Sequence, residues 1–280
     1  MIAYVNGTFL EEDKAVLQIG DLALQRGYAA FDYLRTKNNV PLFLEDYMDR
    51  FYQSAAQMHL QPKQTANELI AIINELIKQN ETPQSGIRMI LTGGYAPDSY
   101  TPVTPNLVIL QQPLQMPSAE KFTNGIKVIT HEYQRDLPTV KSINYLMGIW
   151  LQQKVAEQKA ADVLYHQNGW VSEFPRANVF VVTKEGKVVT PAEGILKGIT
   201  RMKLIELIKD RYELEERPLH VDEVKDAAEV FMTSTTKRLQ PINQVDDAVI
   251  GHGKAGTITT ELNQLFMQME NRLANVQEMA

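Results

Sequence analysis

Short alternating stretches and longer helical ones take turns along this chain. Residues 2–5 (Ile-Ala-Tyr-Val) and 8–10 (Thr-Phe-Leu) flank Asn6-Gly7, a pair that favours a tight hairpin turn. A second hairpin is predicted for 31–36 and 40–43 around Lys37-Asn38-Asn39. From 44 to 58 the apolar spacing becomes helical, and 66–78 repeats it with Leu69, Ile70, Ile72, Ile73, Leu76 and Ile77. Residues 87–91 and 107–111 read as buried strands on either side of a loop rich in Gly, Pro and Tyr. Two prolines and few bulky apolar residues make 113–119 a poor core segment and the best linker.

Beyond it the pattern predicts a strand at 126–130 and a helix at 143–159. Strands follow at 162–166, 178–183 and 187–190, the last two joined by a Lys184-Glu185-Gly186 turn. Helices at about 200–210 and 221–226 and a strand at 229–233 complete the main pattern. Helices and strands mix in both halves, so the expected fold class is mixed α/β (α+β) in two domains, 1–112 and 120–280.

Composition narrows the function classes. With 44% apolar and 22% charged residues, the 280-residue chain reads as a globular protein. A net charge of −6 argues against a nucleic-acid partner, and no apolar run approaches the ~20 residues that span a bilayer. The chain has no cysteine, which excludes disulfides, thiol nucleophiles and thiolate metal sites. No secretion signal is visible at the N-terminus, so a cytoplasmic protein is expected, and no metal site is assigned.

Four places carry candidate chemistry. Lys141 stands just before the predicted 143–159 helix, where the helix dipole favours anions, unless the lysine is not a free ammonium. It reads either as a Schiff-base lysine with a phosphate nearby or as a solvated surface residue. Gly198-Ile199-Thr200 opens a helix and offers N–H and hydroxyl donors, as an anion site or an ordinary cap. Thr233-Ser234-Thr235-Thr236 places four hydroxyls at a strand end, as donors or as a solvated turn. Glu173 lies in mostly apolar strand surroundings and needs a partner, either a protonated ring nitrogen or Arg176.

In order, these pieces resemble the class IV (fold-type IV) pyridoxal-phosphate aminotransferases, which include branched-chain aminotransferases, D-amino acid aminotransferases and aminodeoxychorismate lyase. The resemblance runs from Arg26-Gly27-Tyr28 and Phe31-Asp32-Tyr33-Leu34-Arg35 through Asp49-Arg50-Phe51, Lys141, Glu173, Lys197-Gly198-Ile199-Thr200-Arg201 and Thr233-Ser234-Thr235-Thr236. It implies the two-domain D-amino acid aminotransferase-like fold with pyridoxal 5′-phosphate (PLP) between the domains. Lys141 then matches the Schiff-base lysine and proton shuttle, and Glu173 the partner of the pyridine nitrogen. Arg50, Ile199, Thr200, Ser234 and Thr235 match phosphate ligands. Leu196 matches a residue packed on the ring, and Tyr145 one near the ring hydroxyl.

Pro175 departs from the family pattern, which has a small residue there, and the stretch between Thr190 and Leu196 looks slightly short. The 92–100 loop lacks the Arg and His that trap the substrate carboxylate in D-amino acid aminotransferases, and Phe31 replaces a tyrosine. The substrate carboxylate is therefore expected at Thr235-Thr236, with Arg35 or Arg88 as the alternative. The expected function is a homodimeric transaminase acting on an amino acid and a keto acid, L-configured and of branched-chain type. The 92–100 loop would reach the partner subunit's site. The competing reading is aminodeoxychorismate lyase.

Overall fold

The computed structural model describes residues 1–278, and the chain divides into two compact units. Met1–Gln115, Val140–Asn144 and the chain from Arg272 make up the first, and Met116–Thr139 with Tyr145–Asn271 the second. Val140–Asn144 thus belongs to the first unit although the chain has already entered the second.

The first unit is built on a six-stranded antiparallel sheet. Its strands and helices are β1 (Ile2–Val5), β2 (Thr8–Glu11), α1 (Leu22–Arg26), β3 (Ala29–Lys37), β4 (Val40–Pro41), α2 (Leu44–Gln57), α3 (Ala66–Asn80), β5 (Ser85–Thr92) and β6 (Leu107–Pro113). Across the sheet the order is β2-β1-β6-β5-β3-β4. Asn6 and Gly7 both take positive φ, at 48° and 102°, as the predicted hairpin turn requires. Thr65 and Glu68 close a capping box at the start of α3. Its Leu69, Ile73, Leu76 and Ile77 are buried, the spacing of one helical face.

The second unit holds α4 (Ala119–Asn124), β7 (Ile126–Glu132), α5 (Leu146–Trp150), α6 (Gln152–Glu157), β8 (Asp162–Gln167), β9 (Trp170–Val171), β10 (Asn178–Val182) and β11 (Val188–Thr190). Next come α7 (Ile199–Ile208), β12 (Leu214–Glu216), α8 (Val221–Asp226), β13 (Glu229–Ser234), β14 (Arg238–Val245), β15 (Ala248–Val249) and α9 (Thr257–Glu278), whose last part, from Arg272, belongs to the first unit. Nine strands form one mixed sheet, with β14 running between β13 and β7. All five residues of β10 are buried, which explains the apolar run Val179–Val182 where alternation would mark a half-exposed strand.

Two parts of the pattern differ from the sequence expectation. The predicted 143–159 helix is two short helices, α5 and α6, and it starts only at Leu146. Its expected first turn is drawn instead into pairing with β3, where Ile143 donates to the Ala29 carbonyl. β14 gave no signal because Pro241 and four polar or charged positions interrupt it, yet Pro241 stands opposite Phe231 on the neighbouring strand.

Candidate active site

Lys141 is fixed by its main chain before its side chain is considered. Phe31 donates its N–H to the Lys141 carbonyl at 2.9 Å, and Ala30 and Ser142 form an antiparallel bridge. The Lys141 N–H donates to Ser54 Oγ on α2 at 3.2 Å. Lys141 therefore extends the sheet at the β3 edge and does not sit in a helix's first turn, so the helix-dipole argument for it falls away. Its amine lies over the Phe31 ring, 4.7 Å from the centre. Phe31, Arg35, Arg88 and Lys141 are thereby gathered in the first unit, with Arg35 buried and Arg88 exposed.

Arg50 stands one helical turn before Ser54 on α2. Its Nε and Nη2 donate to the two oxygens of Asp32 at 2.9 and 2.6 Å. Asp32 is fully buried, so the arginine neutralises a carboxylate that has no access to water. The pair also fixes the guanidinium, and Asp32 is a partner to which the sequence assigned no role.

In the second unit, Glu173 is buried and both of its oxygens are engaged. One oxygen receives Nε and Nη2 of Arg135 at 2.9 and 2.7 Å. The other receives the Leu196 N–H at 3.0 Å and Asn178 Nδ2 at 3.3 Å. The ion-pair partner is Arg135, not the neighbouring Arg176, which is exposed. Arg135 in turn donates to the Pro138 carbonyl. Nothing local in the sequence marked Arg135, because it lies 38 positions from Glu173. Pro175, the departure beside Glu173, packs against Gly148, where a β-carbon would stand 3.0 Å from the proline ring.

Asn178 couples this carboxylate to the helix that follows. It donates to the Leu196 carbonyl at 2.7 Å, and its Oδ1 lies 2.2 Å from where a β-carbon on Gly198 would be. Only glycine fits that position. Gly198 is the N-cap of α7 and supplies no side-chain cap, so Ile199 and Thr200 open the helix with main-chain N–H groups uncapped by a side chain. Helix α7 packs on β13, whose last residue is Ser234. Among the described residues, the buried Ser234 hydroxyl has no hydrogen-bond partner, nor has that of Thr233. An uncapped helix start and an orphaned buried hydroxyl in one unit are the donor set a phosphate satisfies. Thr235 and Thr236 follow in the β13–β14 turn and are half-buried, and Tyr145 is the N-cap residue of α5.

The 92–100 loop is organised by Asp98. Its carboxylate accepts from the Thr101 hydroxyl at 2.6 Å and from the Thr101 and Tyr100 N–H groups at 2.8 and 2.9 Å. The Thr101 hydroxyl, followed by these main-chain bonds, holds the Asp98 carboxyl at about 2. Its acceptors are committed to the loop's own turn.

Residues 29–245 match the family model for amino-transferase class IV. The chain belongs to the class IV aminotransferases. It is 31% identical over 260 residues to a D-alanine aminotransferase of Bacillus licheniformis, spanning 91% of this chain and 92% of that one. A putative branched-chain-amino-acid aminotransferase of Methanocaldococcus jannaschii is 30% identical over 285 residues, 97% of each chain. The crystal structure of a branched-chain amino acid aminotransferase of Escherichia coli superposes with a TM-score of 0.90 at 24% identity. That match covers 95% of this chain and 93% of the other. Aminotransferases of class IV use PLP, and the uncapped α7 start, the Ser234 hydroxyl and the Arg135-held carboxylate suit its phosphate and ring nitrogen.

Proposed function

We propose that this aminotransferase passes an amino group between an amino acid and a keto acid with PLP held covalently on Lys141. The observation that carries this reading is Lys141 itself, locked in register beside β3 with its amine over Phe31. When bound, PLP supplies an electron sink for the bond broken at the substrate α-carbon. The chain's residues do the rest. Lys141 Nζ would take the proton from the substrate α-carbon and pass it on within the same half-reaction, and in the reverse half-reaction it would deliver a proton to the α-carbon of the incoming keto acid. Glu173, held by Arg135, Asn178 and the Leu196 N–H, would keep a proton on the ring nitrogen. Arg50, Ile199, Thr200, Ser234 and Thr235 would hold the PLP phosphate, with Leu196 and Tyr145 as residues that would bind its ring. Thr235 and Thr236 receive the substrate α-carboxylate.

The substrates in this proposal are L-amino acids of branched-chain type. In its support, the 92–100 loop carries no cation, and Asp98 is occupied by Tyr100 and Thr101. A second reading, D-amino acids, is favoured by the likeness to D-alanine aminotransferases. The deciding assay follows keto-acid formation from L- and D-alanine, leucine and glutamate with 2-oxoglutarate or pyruvate as acceptor. Preference for the D-isomers replaces the first reading by the second. Pyruvate release from aminodeoxychorismate without any acceptor would make the chain a lyase.

The proposal includes a homodimer. Leu146, Ile149 and Trp150 on α5 are 75%, 70% and 68% exposed, an apolar strip that a second copy would cover. It also includes a cytoplasmic setting, with which a chain without cysteine accords.

A further inference from the structure

Thr235, Thr236 and Lys237 form the turn between β13 and β14, with Ser234 and Arg238 facing each other across its base. The Lys237 N–H donates back to the Ser234 carbonyl at 3.3 Å. A three-residue hairpin loop of this kind is closed by a left-handed residue, a place that favours glycine. Here a left-handed backbone falls on Arg238, with φ 53°. A residue with a side chain is strained there and needs its surroundings to hold it. Arg238 Nε donates to Glu270 on α9 at 2.7 Å, and Glu270 is buried.

The start of α9 is tied to the same hairpin. Glu229, the first residue of β13, accepts the Ile258 and Thr259 N–H groups at 3.0 and 2.7 Å and the Thr259 hydroxyl at 2.6 Å. From Glu229 to Ser234 a strand advances about 17 Å. From Thr259 to Glu270 a helix also advances about 17 Å. One helix therefore joins the base of the hairpin to its tip, with matching lengths. Lys237 adds a further tie at the tip, from its amine to Asp162 at the start of β8, at 3.1 Å.

Among the described residues Thr236 makes no hydrogen bond, so a half-buried turn keeps donors for an outside acceptor. The direction of those N–H groups is set by the backbone of the turn, and its closing residue is the one that α9 grips. We propose that Arg238 and Glu270 are positioning residues for the substrate, clamping the turn so that the Thr235 and Thr236 N–H groups aim at the α-carboxylate. The clamp rests on the reading of Thr235 and Thr236 as the carboxylate seat. Amino acid and keto acid share that carboxylate, so the pair acts on both alike.

The test compares PLP-loaded parent enzyme with the double variant Arg238→Gly, Glu270→Gln. Glycine adopts the left-handed φ freely and glutamine keeps the shape of Glu270, so neither strain nor a stranded charge remains. Butanoate, a non-reacting carboxylate, should bind this variant roughly five- to tenfold more weakly by calorimetry. In turnover, KM for the amino acid and the keto acid should rise together by a similar factor, more than kcat falls. Arg238→Lys, which can keep the ion pair, should recover most of the loss. Butanoate that binds the double variant as tightly as the parent overturns the clamp, because a purely structural pair would alter the melting temperature alone. Selective 15N-threonine labelling tests the seat separately. Butanoate should shift the Thr235 and Thr236 amide resonances of the parent. If they do not move, the seat reading falls and the clamp with it; if they move but the double variant binds normally, the clamp alone falls.

Discussion

Arg135 delivers two N–H groups, 2.9 and 2.7 Å away, to a single oxygen of Glu173, and thereby fixes a buried carboxylate as an anion. The other oxygen faces the Leu196 N–H and Asn178, so each side of the carboxylate is anchored to a different part of the second unit.

Removing one member of such a pair leaves the other charged and buried. Arg135→Gln, which strands the more deeply buried Glu173, should therefore destabilise the cofactor-free protein by about 3–5 kcal/mol, more than Glu173→Gln, which strands the less buried Arg135. Urea unfolding measures both. Equal effects of the two substitutions would contradict the pairing as the source of the cost.

The assignment of Lys141 is tested by chemistry at the residue. Borohydride treatment of the PLP-loaded protein should leave the cofactor on the peptide containing Lys141, read by mass spectrometry. Lys141→Ala should retain no cofactor after denaturation and should not turn over. An adduct mapped to another lysine would refute the assignment.

Ser234 offers a test in which two effects have different signs. Its hydroxyl is buried without a partner, so Ser234→Ala removes an unsatisfied group from the cofactor-free protein. Stability without cofactor should be unchanged or slightly raised. If the hydroxyl donates to phosphate, PLP affinity should fall roughly three- to tenfold, the worth of about 1 kcal/mol. Thermal melts with and without PLP separate the two, and a loss of stability without cofactor would argue against an orphaned group.

Asp246 provides a pH prediction independent of the candidate site. Burial raises its carboxyl, but the Lys225 ammonium and the Thr130 N–H and hydroxyl outweigh this and leave it lowered. A carboxyl lowered in the folded state contributes stability that is present above its unfolded value. That stability is lost as pH falls through the folded value. Asp246→Asn should cost about 1–2 kcal/mol at neutral pH. Asparagine tolerates the left-handed backbone at this position (φ 51°), so the loss reports on charge and hydrogen bonds. The difference from the parent should shrink below the ordinary aspartate range of about 3.9 in denaturant titrations. A pH-independent difference would rule out this origin.

The α5 strip predicts the oligomeric state. The parent protein should sediment as a dimer, and Ile149→Asp, which puts a charge on a residue that is 70% exposed, should shift it towards monomer without loss of helix content. A parent that sediments as a monomer, or a variant that dimerises equally well, would leave the strip unexplained by a second copy.

Local physics made most of the elements legible. Asn6-Gly7 demanded a turn with positive φ, the 66–78 spacing demanded an amphipathic helix, and Gly198 before Ile199 and Thr200 marked a helix entry. Each depends on residues a few positions apart, which is the range a pattern of side chains encodes. The order of motifs around Lys141 and Glu173 likewise carried the family, because spacing along the chain is itself a property of the sequence.

What the sequence left open depended on partners far along the chain. Arg135 is separated from Glu173 by 38 positions and Asp32 from Arg50 by 18, so neither pairing follows from local periodicity. The 141–144 strip read as the approach to a helix, but β3 offered it main-chain partners, and hydrogen bonding across the β3 edge decided its conformation. Gly86 looked like an ordinary glycine until the register of β3 on β5 set the Tyr33 ring above it. Composition and periodicity determine which segments become strands and helices. Only the tertiary fold, by choosing which strands neighbour one another, decides which charges and hydroxyls share a face.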